Sequence, residues 1–310
     1  MNKQELFSLQ HEGICAYNKK QFNQALEIFQ QYLSHLPNDP MAYFNLCVVL
    51  EELRRWDEAK TAIENSLRLD PCRSYFYHHL AFIYANQGQF EQARQHFHQA
   101  VTIDPDYINA HYNLGVMYEL LDEKDKAMAE FKICIELDPE YIFAHNHLAV
   151  LYMDLENWDE AKKEIDTGLS LCAEDPVIHA TLAAFYARQK IFDQAFEAIQ
   201  QTLDICPDNP VYIFNKADIL YQMQDYNKAK ELCLEIIQKD SNYLPALVLL
   251  GKYYQKYKNS TIAHEYYQKA LSLNPELKDS DEAIKEFYSK IFPLNTFNHN
   301  SIDKTEDSNG

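Results

Sequence analysis

One alanine returns every 34 residues: Ala25, Ala59, Ala93, Ala127, Ala161, Ala195, Ala229 and Ala263. A fixed period of about 20 to 50 residues means an array of one supersecondary unit, so a single closed core is excluded at the outset. The rest of the unit keeps phase. Twelve residues before each alanine stands a small residue: Gly13, Cys47, Ala81, Gly115, Ala149, Ala183, Ala217 and Gly251. Four residues after it stands a large apolar one, Phe29, Ile63, Phe97, Phe131, Ile165, Ile199 and Tyr267, with Cys233 the exception. Twelve after it, proline closes six of eight units, at Pro37, Pro71, Pro105, Pro139, Pro207 and Pro275.

Small residues at fixed phase let two helices approach to about 8–10 Å between axes, and large residues one turn away fill the remaining space. The pairs Asp70-Pro71, Asp104-Pro105 and Asp138-Pro139 stop one helix before the next begins. Short polar turns such as NQGQF, LDEKD and LENWD join the two helices of a unit. A helix–turn–helix of this size cannot bury its apolar face alone; stacked on its neighbours, it does.

The pattern resembles the tetratricopeptide repeat (TPR) family, whose unit is 34 residues. NLGVMYELLDEKDKAMAEFKICIELDP carries nearly all of it. Eight units run in phase: 6–39, 40–73, 74–107, 108–141, 142–175, 176–209, 210–243 and 244–277. The resemblance implies an all-α fold, a right-handed α-solenoid superhelix of helix–turn–helix TPR units with a C-terminal capping helix. Residues 279–292, DSDEAIKEFYSKIF, read as that cap. Asp279 or Ser280 can start the helix, and Ala283, Ile284, Phe287, Tyr288, Ile291 and Phe292 fall on one face. The tail, 294–310, loses the periodicity and reads as disordered. The seventh unit departs most, with Lys216 where six of the others carry leucine; a lysine snorkelling to water is the plain explanation, a functional charge beside Asp218 the sharper one.

Composition narrows the partner. The net charge of −19 repels phosphate backbones and anionic lipid, so no nucleic-acid partner is expected. No stretch approaches about 18 continuous apolar residues, so no membrane insertion is expected, and MNKQELFSLQ lacks the pattern of a signal peptide. Seven cysteines without a CxxC pair read as reduced thiols of a cytoplasmic protein. With six glycines there is no glycine-rich phosphate loop, and no nucleophile elbow or HExxH motif is present. We therefore expect no enzyme, no cofactor and no metal. His78-His79, His96/His98 and His145/His147 stand at spacings that point to different helix faces. His111, His145 and His179 share one phase and read as rings filling a slot between helices.

In the family, the first helices of successive units line a concave wall where partners lie. Two residues before the small residue, one slot is polar in seven successive units: His11, Asn45, His79, Asn113, His147, Thr181 and Asn215, with Leu249 ending the run. Buried amides need partners, so the slot reads as a solvent-facing ladder able to contact a partner's backbone N–H and C=O groups. It resembles the asparagine ladder in the superhelix of O-linked N-acetylglucosamine transferase, without the glycosyltransferase domain. Beside the ladder the wall is expected to be apolar. Phe44, His78, Tyr112 and Phe214 precede rungs, Val48, Phe82, Val116 and Val150 follow three later, and Phe7, Tyr75 and Phe143 lie one turn earlier. The expected function is a protein–protein interaction scaffold or adaptor that binds a peptide or helical segment in the concave groove. The alternative is a regulatory or substrate-recognition subunit of a separate enzyme such as a glycosyltransferase. The pattern leaves room for a homodimer.

Overall fold

A computed structural model describes residues 2–275. The expected cap, 279–292, and the tail, 294–310, lie outside the described residues. Sixteen helices are described. The first helices of the repeats are α1 (Lys3–Asn18), α3 (Pro40–Glu52), α5 (Ser74–Asn86), α7 (Ile108–Leu120), α9 (Ile142–Asp154), α11 (Pro176–Arg188), α13 (Pro210–Gln222) and α15 (Leu244–Lys256). The second helices are α2 (Phe22–His35), α4 (Trp56–Leu69), α6 (Phe90–Ile103), α8 (Lys124–Leu137), α10 (Trp158–Leu171), α12 (Phe192–Ile205), α14 (Tyr226–Lys239) and α16 (Ser260–Leu273). The helices fall into two compact units, Met1–Pro139 and Glu140–Gly310.

Both kinds of turn follow from local chemistry. Between the helices of each repeat one residue takes the left-handed conformation: Lys20, Arg54, Gly88, Asp122, Glu156, Lys190, Gln224 and Lys258, again 34 residues apart. The next residue's N–H then reaches back five residues to a carbonyl, as in Gln21 to Ala16 and Arg55 to Leu50, both at 2.9 Å. This closes the helix and reverses the chain within a few residues. Between repeats, Asp39, Asp175 and Asn209 cap helix starts whose first residues are Pro40, Pro176 and Pro210. Asp39 Oδ1 accepts from the N–H groups of Met41 at 2.9 Å and Ala42 at 3.2 Å. A proline there gives up no hydrogen bond, because that N–H has no partner within the helix.

Within each of the two units the core lies between the helices of each repeat and between neighbouring repeats. The eight periodic alanines are 0% to 4% exposed. The small residues do what their phase requires. A Cβ added to Gly13 would come within 2.9 Å of the Phe29 ring, and one on Gly115 within 2.7 Å of Phe131. Lys216 snorkels: its Nζ donates to Gln200 Oε1 at 2.7 Å and lies 5.3 Å above the Phe196 ring. Cys47, Cys134 and Cys233 are buried, whereas Cys72 and Cys172 are exposed, and none of the seven is in a disulfide.

Candidate interaction face of the first helices

With 3.6 residues per turn, positions i, i+4, i+7 and i+11 form one stripe along a helix. Within Met1–Pro139 one such stripe reads Phe7, His11, Ile14, Asn18 on α1 and Met41, Asn45, Val48, Glu52 on α3. It continues as Tyr75, His79, Phe82, Asn86 on α5 and Asn109, Asn113, Val116, Leu120 on α7. All of these except Asn113 are exposed or half-buried. Taken across helices the stripes make four rows. The first and third are apolar, apart from Asn109. The second is the ladder. The fourth is polar, apart from Leu120. The two apolar rows are seven residues apart on each helix, about 10.5 Å at 1.5 Å per residue.

Side-chain contacts tie the rows together. Tyr75 Oη donates to Met41 Sδ at 3.2 Å. The Phe44 ring meets Tyr75 at 5.0 Å and His79 at 4.9 Å, both edge-on. Tyr17 Oη donates to Glu52 Oε1 at 3.1 Å, and His79 Nδ1 lies 2.9 Å from Glu51 Oε2. Burial pushes the Tyr17 phenol upward, and the Glu51 charge adds to it. At the start of the face Phe7 is 71% exposed and Ile14 41%.

The ladder is not open along its length. His11 is exposed and Asn45 and His79 are half-buried, but Asn113, His147, Asn215 and Thr181 are all buried. For Asn113 and Thr181 the sequence premise fails because the partner stands 35 residues upstream, in the preceding repeat. Asn113 Nδ2 donates to His78 Nε2 at 2.9 Å. Thr181 Oγ1 donates to Asn146 Oδ1 at 2.6 Å. Burial, with His79 beside it, drives the His78 imidazole well below its usual pKa, so the ring is neutral and can accept at Nε2. Phe44, His78 and Tyr112, expected on the wall, are buried as well. Phe44 and His78 are the upstream halves of contacts between first helices. Tyr75, Phe82 and Phe143 are half-buried. Ile14 and Met41 were missed by sequence reading, although the 34-residue phase that placed Val48 and Tyr75 on the wall also places them.

In Glu140–Gly310 the same stripe is more closed and more charged. Phe143, Val177 and Val211 are half-buried in the first row. The third row runs Val150, Ala184, Asp218, Lys252, and in the fourth Arg188 Nη1 donates to Asp154 Oδ1 at 2.8 Å. Burial raises the Asp218 carboxyl to about 6 against the pull of Lys252.

The recurrent histidines are structural. His111 Nδ1 lies 2.7 Å from Glu130 Oε2 and its Nε2 2.9 Å from the Pro105 carbonyl. Both partners only accept, so the geometry suits the doubly protonated ring. Burial opposes that charge, but Glu130 and the Pro105 carbonyl outweigh it and the pKa is raised. His145 repeats the contact with Glu164 at 2.6 Å. In the next repeat Ala198 stands where Glu130 and Glu164 do, and His179 keeps only the carbonyl contact, to Ala173 at 2.8 Å. Among the described residues no group of three or more His, Cys, Asp or Glu is placed to hold a metal ion, and no helix is long and apolar enough to cross a membrane.

Comparison with known proteins agrees with this architecture. Sequence models of the tetratricopeptide repeat match residues 16–77, 62–95, 81–122, 108–141, 211–242 and 244–277. No curated protein matches the sequence. A tetratricopeptide repeat protein from Parabacteroides merdae ATCC 43184 aligns with a TM-score of 0.68 at 18% identity, over 84% of this chain and 99% of that one. The APC/C hetero-tetramer Cut9–Hcn1 aligns with a TM-score of 0.66 at 15% identity, over 94% of this chain and 57% of that one. Yeast Tom70 aligns with a TM-score of 0.61 at 18% identity, over 96% and 65%. At such identities the likeness speaks for the fold alone, an all-α helical repeat. With that fold, the 34-residue phase and the sequence matches in agreement, the chain belongs to the tetratricopeptide repeat family.

Proposed function

We propose that the chain is a non-enzymatic scaffold or adaptor that seats a peptide or helical segment of another protein on the face of its first helices. The observation behind this reading is the pair of apolar rows in Met1–Pro139, which leaves Phe7 and Ile14 exposed beside half-buried Met41, Tyr75, Val48 and Phe82. A contiguous apolar face with a polar border is what a docking surface needs. In this reading His11, Asn45, His79, Tyr75 and Phe82 touch the partner. Asn113, His147, Asn215, Phe44, His78 and Tyr112 lie beneath and fix the spacing of the helices. The purified full chain and its Phe7→Ala/Tyr75→Ala/Phe82→Ala variant, immobilised side by side, test it by capture from the native source and mass spectrometry. A protein held by the wild type and lost by the equally folded variant is expected. Identical captures by the two would remove this face from recognition.

A further inference from the structure

We infer that the occupant of the face in Met1–Pro139 is an amphipathic α-helix carrying lysine or arginine, rather than an extended peptide; this rests on the interaction reading above. An extended chain needs hydrogen-bonding partners for its own backbone. The ladder supplies few, since only His11 and Asn45 of its four rungs here are open and not held by another side chain on the face. Asn113 is buried with its amide on His78, and His79 is engaged by Glu51. Laid along the ladder, an extended chain would set unpaired N–H and C=O groups against apolar rows, which is costly. A helix brings its backbone already satisfied.

Width points the same way. The apolar rows flank the ladder about 10.5 Å apart, and a helix with side chains is about 10–12 Å across, so one lying over α1, α3, α5 and α7 meets both rows at once. A single strand, given about 4.8 Å of width in a sheet, meets one. Charge sets the rest. The sixteen stripe residues of this unit include no lysine or arginine. The fourth row holds Glu52, with Glu51 beside it and Glu119 on α7. Residues 1–139 carry 12 Lys and Arg against 20 Asp and Glu, which disfavours an acidic ligand. The fitting ligand has apolar residues at i, i+3 or i+4 and i+7, and basic residues on the flank that faces the fourth row.

Selection of random 18-residue peptides displayed against the full chain tests this, followed by titration of the selected peptides. The titrations use wild type, Phe7→Ala/Ile14→Ala and Glu52→Lys, together with a mid-sequence proline version of each peptide. Expected are sequences with helical apolar spacing and Lys or Arg, whose binding falls at least tenfold with proline, with Phe7→Ala/Ile14→Ala and with Glu52→Lys. Peptides that depend on Phe7 and Ile14 but tolerate proline, alternate with period two or are acidic would overturn the helix assignment while keeping the face. Peptides indifferent to Phe7→Ala/Ile14→Ala, or no enrichment over a blank surface, would overturn the face itself.

Discussion

Asp218 occupies the third row of its first helix, where Ile14, Val48, Phe82, Val116 and Val150 stand in other repeats. Its carboxyl is buried and its pKa is raised from 3.8 to about 6, by burial first, with Lys252 and Gln222 opposing. The unfolded chain therefore ionises this group before the folded chain does. As pH rises from about 4 to about 6 the folded state loses stability, and above that the full penalty persists. Asp218→Asn is expected to stabilise the protein at pH 7.5, by an amount on the order of 3 kcal/mol. The gain should shrink to about 0.5 kcal/mol near pH 4, where the folded carboxyl is neutral and the unfolded one only about half ionised. Urea unfolding of both proteins at the two pH values checks this; an equal gain at each would point to packing instead of charge.

At the scale of the helices, contacts between successive first helices are partly polar, and this was the least legible feature of the sequence. The polar slot was visible at once. Its burial was not, because no propensity or periodicity within a repeat reveals that the residue 35 positions upstream supplies a hydrogen bond. Asn113→Ala would leave the buried His78 Nε2 without its donor, which costs about 1–3 kcal/mol. His78→Phe alone should also destabilise, since it strands the Asn113 amide. The double variant should be less damaged than the two losses summed, with a coupling above about 0.5 kcal/mol. Strictly additive losses in denaturant titrations would show that this bond does not hold α5 to α7. The left-handed turns were also hidden: seven of the eight positions carry a side chain, and only Gly88 has the residue type that signals such a turn.

For the molecule as a whole, stability is spread along the chain. Side-chain bonds between first helices reach only to the next repeat: Tyr17–Glu52, His78–Asn113 and Asn146–Thr181 each span 35 residues. A repeat array with such short reach opens locally. Gly115→Ala places a methyl 2.7 Å from the Phe131 ring, and overpacking of this kind costs about 1–3 kcal/mol. Native-state hydrogen exchange should then show weakened protection in α7 and α8 and unchanged protection in α15 and α16. A uniform loss over all helices would mean that the array unfolds as one block.

The sequence by itself determined the repeat, its length, the places where helices start and stop, and the small-against-large pairing at their contacts. Those features depend on residues within one 34-residue unit, where side-chain size, proline geometry and helical period act locally. Only the tertiary structure decided which polar residues face solvent. That depends on what the neighbouring repeat sets against each slot: Asn113 meets the His78 ring and is buried, while His11, on the first helix described, stays exposed. The same chemistry at the same phase gives a packing contact in one repeat and an open side chain in another, because burial belongs to pairs of repeats and not to the unit that repeats.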